Sequence, residues 1–260
     1  MGRVVHSSLN QGRQPVSASA TTSPGHAHTY HGNEEYETAR ALSESEIQEV
    51  IQHYGLAARN GMEAGFDGVQ VHAANGYLID QFLRDYSNFR KDQYGGSIEN
   101  RVRFLAQVVE HVVSQVGKEQ VGVRLSPNGE ILGVNDSDPA PLFTHAAKRL
   151  SEIGVAYLEV REGPSSQSML PPDTVQMHSS MRQVFDGVFI MNSDFDLERA
   201  ETTLAEGEAD AVSFGRPFIS NPNLPEVFKQ GRKPAPSNVE TYYRKGGSHP
   251  AVGYVDYPEN

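Results

Sequence analysis

No cysteine occurs in the 260 residues. Disulfides are therefore excluded, and no oxidising compartment is implied. There is no run of about 18 apolar residues, the length a membrane-spanning helix needs. The first residues lack the basic-then-apolar pattern of a secretory signal. These absences predict a cytoplasmic protein. Positive charge is also in short supply: the net charge of -11 argues against nucleic acid or an anionic membrane as partner. A local phosphate site remains compatible with that balance. The chain has no P-loop, no G-x-G-x-x-G after a strand and no G-x-S-x-G elbow. Hydrophobic residues reach only 37%, which suits a domain carrying a long polar surface segment.

Residues 1–42, rich in Ser, Gly, Gln, Thr and His, fit that description and predict one long excursion rather than a domain. His26, His28 and His31 lie in it without carboxylate or thiolate support, so a solvated loop is expected there and no metal site. Glu34, Glu35 and Glu37 read as a solvated acidic edge. Beyond it, strands and helices alternate. Ser43 with Glu46 three residues on is a capping box opening an amphipathic helix that ends near Gly61 or Gly65. Phe66 to His72 reads as a strand, with Val69 and Val71 on one face and Gln70 and His72 on the other. Ser97 starts a second helix. Strands follow at Val121–Ser126, Val155–Val160, Val188–Met191 and Ala209–Phe214. Between them lie helices opened by Asp138-Pro139 and starting at Asp196, and one near Thr174–Gln183 behind a Ser/Pro-rich loop, Gly163–Pro172. Asn221-Pro222 is expected to cap a further short helix. Five strands alternating with helices predict an α/β protein with a parallel sheet, read as a single domain over residues 1–260.

The candidate chemistry sits where these strands end. His72 closes a strand, and Asn75 and Tyr77 follow on the loop above it, where ligands bind in such folds. The three offer an imidazole, an amide and a phenol. His72 and Tyr77 each have a plainer reading: a strand-end histidine bonded to backbone, and a tyrosine ring packed at a helix start. Arg124 arrives at another strand's carboxyl end, where a cation needs an anion, either a ligand or a carboxylate such as Glu159. Gly215 and Arg216 follow the last strand, and a guanidinium beside backbone N–H groups suits a phosphate.

Two motifs then narrow the reading. H-A-A-N-G-Y-L from His72 is followed by S-N-x-R-x-D-x-Y-G-G-S-x-E-N-R, that is Ser87, Asn88, Arg90, Asp92, Tyr94, Gly95, Gly96, Ser97, Glu99, Asn100 and Arg101. With G-R-V-V-H-S-S at the start, V-R-L-S-P at Val123–Pro127 and S-F-G-R-P at Ser213–Pro217, the chain resembles the Old Yellow Enzyme family of FMN-dependent ene-reductases. The resemblance implies a (β/α)8 TIM barrel of which about five βα units are present. Three N-terminal strands, on the order of 100 residues of a barrel of about 250, are then expected to be missing. Open sheet edges would follow, with association through them as a homo-oligomer or with a partner chain.

The implied activity is reduction of activated alkenes such as enones and nitroalkenes, with NAD(P)H as reductant and FMN as cofactor. His72 and Asn75 would bind the substrate's activating oxygen, and Tyr77 would supply the proton. Arg124 would meet the flavin's N1/C2 edge. Asn192, Ser193, Gly215 and Arg216 would form the phosphate site, although many members carry glycines where this chain has Ser193-Asp194. Tyr243 matches a residue lining the substrate pocket, or is a surface aromatic, since Arg244 and Lys245 interrupt the family's pattern there. The alternatives are a non-catalytic remnant and a fragment that needs a partner chain to hold flavin.

Overall fold

A computed structural model describes residues 1–129, 131–162, 176–244 and 251–258. Its central element is a parallel five-stranded sheet: β5 (Val69–His72), β6 (Val121–Leu125), β7 (Tyr157–Arg161), β8 (Val188–Asn192) and β9 (Ala211–Ser213). Neighbours in space are neighbours in sequence, β5-β6-β7-β8-β9. That order is the one consecutive units of a βα barrel take. A doubly wound sheet would reverse direction at a switch point.

Alternation along each strand sorts two faces. Val71, Val123, Leu125, Leu158, Val160, Phe189 and Met191 are buried against helices. Gln70, His72, Arg124, Glu159, Arg161 and Asn192 take the other face, which forms the lumen. Gly122 falls on that inner face by the same alternation, and a Cβ there would collide with the Tyr157 ring.

The helices coat the outside: α1 (Glu44–Glu63), α2 (Leu78–Leu83), α3 (Ile98–Val116), α4 (Pro139–Ile153), α5 (His178–Arg182), α6 (Leu197–Ala205), α7 (Arg216–Ser220) and α8 (Leu224–Lys229). α1 has the expected capping box, with Ser43 and Glu46 bonding reciprocally. α3 packs between α1 and α4. Phe82 of α2 meets Phe104 of α3 with ring centroids 4.4 Å apart. Both rings are fully buried, a contribution of about 1.5–3 kcal/mol each from removing apolar surface from water.

Several expectations are corrected. β5 starts at Val69, and Phe66 is 67% exposed behind Gly65, whose φ of 90° turns the chain out of α1. Asp138 makes no side-chain cap, and Pro139 alone starts α4. Asn223 rather than Asn221 precedes α8, also without a side-chain cap. Asn221 is buried and accepts from Ala235 N at 2.9 Å.

Residues 1–42 carry small sheets rather than plain loop. β1 (Val16–Ser17) runs parallel to β4 (Arg40–Ala41), and β2 (His26–Thr29) forms a hairpin with β3 (Gly32–Glu35). The acidic run is not simply solvated: Glu37 accepts from Ser7 N at 2.6 Å and Ser7 Oγ at 2.9 Å. Those bonds hold its carboxyl below the usual range. The Ser/Pro-rich stretch 163–172 and Thr174 lie outside the described residues. Among the described residues, no helix is long and apolar enough to cross a membrane.

Candidate active site

β5 delivers His72 to the lumen rim, and the chain then turns. Asn75 adopts φ 58°, and its backbone N donates to Ser126 Oγ at 2.7 Å, tying the loop to the end of β6. Gly76 N donates to Asp80 at 2.8 Å. Asp80 is wholly buried and paired with buried Arg84 at 2.8 Å, whose guanidinium also reaches the carbonyl of Ser126. A buried ion pair is stable only when its remaining bonds are satisfied, and these are. One network thus fixes the loop that carries Asn75.

Tyr77 precedes α2, half-buried, with its ring 5.2 Å from that of His72. The structure therefore brings His72 and Tyr77 together. Partial burial of the imidazole, then the charge of Arg124, pushes the pKa of His72 below its ordinary value. Starting from about 6.5, the ring is neutral at pH 7.

Arg124 lies in register between His72 and Glu159. Its Nη2 donates to Asn192 Oδ1 at 2.6 Å, and its Nε stands 3.9 Å from Glu159. Both readings of Arg124 therefore have support: it has a carboxylate neighbour, and its Nε is buried without a hydrogen-bond partner. Asn192 Nδ2 donates to Ser213 Oγ at 2.9 Å, Ser213 Oγ to Glu159 at 2.7 Å, and Gln70 Nε2 to Glu159 at 2.6 Å. The result is one polar layer across all five strands. Its members point inward by the period of two.

At the β8 and β9 ends, a cavity of about 1100 Å³ opens, with Arg124, Arg161, Ser193, Asp194, Gly215 and Arg216 among its walls. Ser193 (φ 110°) and Asp194 (φ 52°) hold backbone angles that favour glycine. Arg216 is exposed and ion-paired to the buried Asp194 side chain. A Cβ added to Gly215 would meet nothing within 4 Å, so the space beside it is open. Guanidinium groups, an open glycine and a cavity of this size fit a large anionic ligand. Tyr243 falls in the turn Val239–Arg244, and its side chain lies outside the described residues.

The second sequence motif builds structure instead. Asn88 Nδ2 donates to Phe82 O and Tyr94 O at 2.6 and 2.7 Å. Arg90 donates to Leu42 O at 2.6 Å and Ala18 O at 3.0 Å and pairs with Asp92. Arg101 pairs with buried Asp136. Fixed residues here knot the α2–α3 connection to the N-terminal segment. His28 bonds Asn33 in the hairpin at 2.7 Å.

Residues 2–234 match the family described as NADH:flavin oxidoreductase / NADH oxidase. The chain belongs to that family. An Old Yellow Enzyme homologue from Zymomonas mobilis superposes with a TM-score of 0.94 at 46% identity, covering 99% of this chain and 71% of that one. Morphinone reductase in complex with tetrahydroNAD gives 0.90 at 41%, covering 100% and 70%. The sequence is 39% identical to Arabidopsis thaliana 12-oxophytodienoate reductase 2 over 228 residues, 84% of this chain and 58% of that protein. It is 39% identical over 229 residues to putative 12-oxophytodienoate reductase 10 of Oryza sativa subsp. japonica, 86% of this chain and 71% of the relative. The chain thus spans 56% to 71% of the rice and Arabidopsis relatives' lengths. The Old Yellow Enzyme resemblance holds, and the fold is α/β: five consecutive units of a TIM barrel.

Proposed function

We propose that this flavin oxidoreductase chain holds FMN in its lumen and serves NAD(P)H-dependent reduction of activated alkenes. The observation that carries the reading is the shared rim of the lumen. His72 and Tyr77 stand at one end, Arg124 in the middle, and the open Gly215-Arg216 corner at the other. That spread suits a long ligand with a flat polar ring system and a terminal phosphate. FMN, when bound, would supply the hydride-transfer chemistry between a nicotinamide and an activated alkene. Arg124 would hold the negative charge of the reduced ring's pyrimidine edge. Gly215, Arg216 and the backbone at Asn192 and Ser193 would hold the phosphate.

His72 and Asn75 act on the substrate. Hydrogen bonds from a neutral imidazole and an amide to a carbonyl or nitro oxygen withdraw electron density from the double bond. They stabilise charge that develops only as hydride arrives. Tyr77 then donates its phenolic proton to the α-carbon as hydride reaches the β-carbon. Tyr243 belongs to this reading as a substrate-pocket residue.

The test is reconstitution. The chain is purified with excess FMN or FAD, desalted, and its retained flavin identified by chromatography. FMN retained in preference to FAD supports the reading, because the corner addresses a terminal phosphate. FAD retained instead overturns it. Protein that retains no flavin, with a native mass of one chain, would favour the non-catalytic alternative. Flavin held only in a larger assembly would favour the fragment completed by a partner.

A further inference from the structure

Arg124, Arg161, Arg199 and Arg216 line the cavity at the ends of β7 to β9, against the carboxylates of Glu159, Asp194 and Asp196. Three of the four arginines have company. Arg124 lies beside Glu159 and bonds Asn192, Arg216 pairs with Asp194, and Arg199 stacks 4.1 Å over the Phe195 ring next to Asp196. Arg161 differs. It ends β7, opposite Asn192 in the β8 register, and is half-buried. Among the described residues it makes no side-chain hydrogen bond or ion pair. Burial, then the charges of Arg124 and Arg216, hold its pKa below the ordinary arginine value. A half-buried guanidinium among like charges is unfavourable until an anion joins it.

The cavity itself says which end of the lumen that anion occupies. β8, which leads into Ser193, is adjacent to β7, and Arg161 shares the cavity's walls with Ser193, Gly215 and Arg216, whereas His72 and Tyr77 are not among them. Arg161 therefore belongs to the Ser193–Gly215–Arg216 corner rather than to the His72–Tyr77 end. We propose that Arg161 is a second phosphate-binding arginine of this chain, bracketing a phosphate monoester dianion together with Arg216. Two planar forks facing one group suit a dianion with three equivalent oxygens better than a singly charged carboxylate. The inference rests on the FMN reading and extends it to a residue outside the matched motifs.

The experiment compares FMN with riboflavin, which has the same ring and ribityl chain but no phosphate. Dissociation constants are measured by quenching of flavin fluorescence for the unaltered chain, Arg161→Gln and Arg161→Lys. The expected outcome is FMN binding about 10-fold or more weaker in Arg161→Gln, riboflavin binding within about twofold, and partial recovery of FMN in Arg161→Lys. An unchanged FMN constant in Arg161→Gln overturns the proposal, as does an equal loss for both flavins. If Arg161→Gln does not fold, the unaltered chain and Arg161→Lys decide. Equal affinity of the unaltered chain for FMN and riboflavin, or an FMN-to-riboflavin ratio unmoved by Arg161→Lys, overturns the proposal. Binding of neither flavin by the unaltered chain overturns the FMN reading and this inference with it. FMN binding indifferent to Arg161 overturns the inference alone.

Discussion

At the scale of single residues, the tasks proposed for His72, at the end of β5, and Tyr77, five residues on, are separable. If His72 and Asn75 grip the substrate's oxygen, a phenolate-forming ligand should report on them directly. His72→Ala and Asn75→Ala should each weaken phenol binding by about 1.5–3 kcal/mol, the cost of a hydrogen bond to a charged oxygen. FMN should stay bound, because Arg124, Gly215 and Arg216 are untouched. Titration of the flavin absorbance with phenol measures both, and an unaltered midpoint would refute the assignment. Tyr77→Phe should behave otherwise. Flavin reduction by the nicotinamide needs no proton from Tyr77, so that half-reaction should persist while alkene reduction falls by about 10²–10⁴-fold. Stopped-flow traces of the two halves separate these outcomes, and equal losses in both would remove Tyr77 as the acid. His72, Asn75, Tyr77, Arg124 and Arg216 were legible because each sits in a motif or at a strand's carboxyl end. Arg161, Ser126 and the Asp80–Arg84 pair were not. What they do depends on which side chains the fold sets opposite them, and no local pattern encodes that.

At the scale of elements, the start of α5 is held by a buried acidic side chain. Glu162, wholly buried just past β7, accepts from Met177 N at 2.7 Å, His178 N at 2.6 Å and His178 Nδ1 at 2.7 Å. The Glu162 hydrogen bond raises the pKa of His178 above its ordinary 6.5. A group whose folded pKa is raised contributes stability that is complete below its unfolded pKa and is lost as pH rises through the folded value. Stability should therefore decline from about pH 6.5 upward through that raised value, and His178→Gln should flatten the slope there. Denaturant midpoints at pH 6 and pH 9 measure it; a slope identical in both proteins would show that His178 does not titrate in this window. Elements with strong caps and apolar periods, α1, α3 and the strands β6 to β8, could be read from sequence. The β2–β3 hairpin could not: His26–Thr29 and Gly32–Glu35 are almost wholly polar, so no alternation marks them. α5 is too short to show a helical period, and of the helix expected near Thr174–Gln183 the described residues form His178–Arg182.

At the scale of the whole molecule, the sheet has two edges among the described residues. β5 bonds only to β6, and β9 only to β8. Each offers a row of backbone N–H and C=O groups on its free side, the feature that recruits further strands. Little blunts them. Phe66, just ahead of β5, is 67% exposed. No residue of β9 is fully buried. Against association stands the net charge of -11, which makes copies repel one another. The two effects respond differently to salt. The screening length falls from about 10 Å at 0.1 M to about 3 Å at 1 M, so repulsion between whole molecules fades while edge pairing and apolar contact persist. The 260-residue chain should therefore self-associate, and more strongly at 1 M than at 0.1 M sodium chloride. A lumen walled, among the described residues, by five strands also admits water to Arg124, which would weaken the hold proposed for it on a reduced flavin. FMN affinity should then rise with association if a second copy covers the open side. Sedimentation equilibrium at both salt concentrations, repeated with FMN, tests the argument. A monomer at 1 M salt that binds FMN stoichiometrically would show that the edges are inert and that five strands suffice for the site.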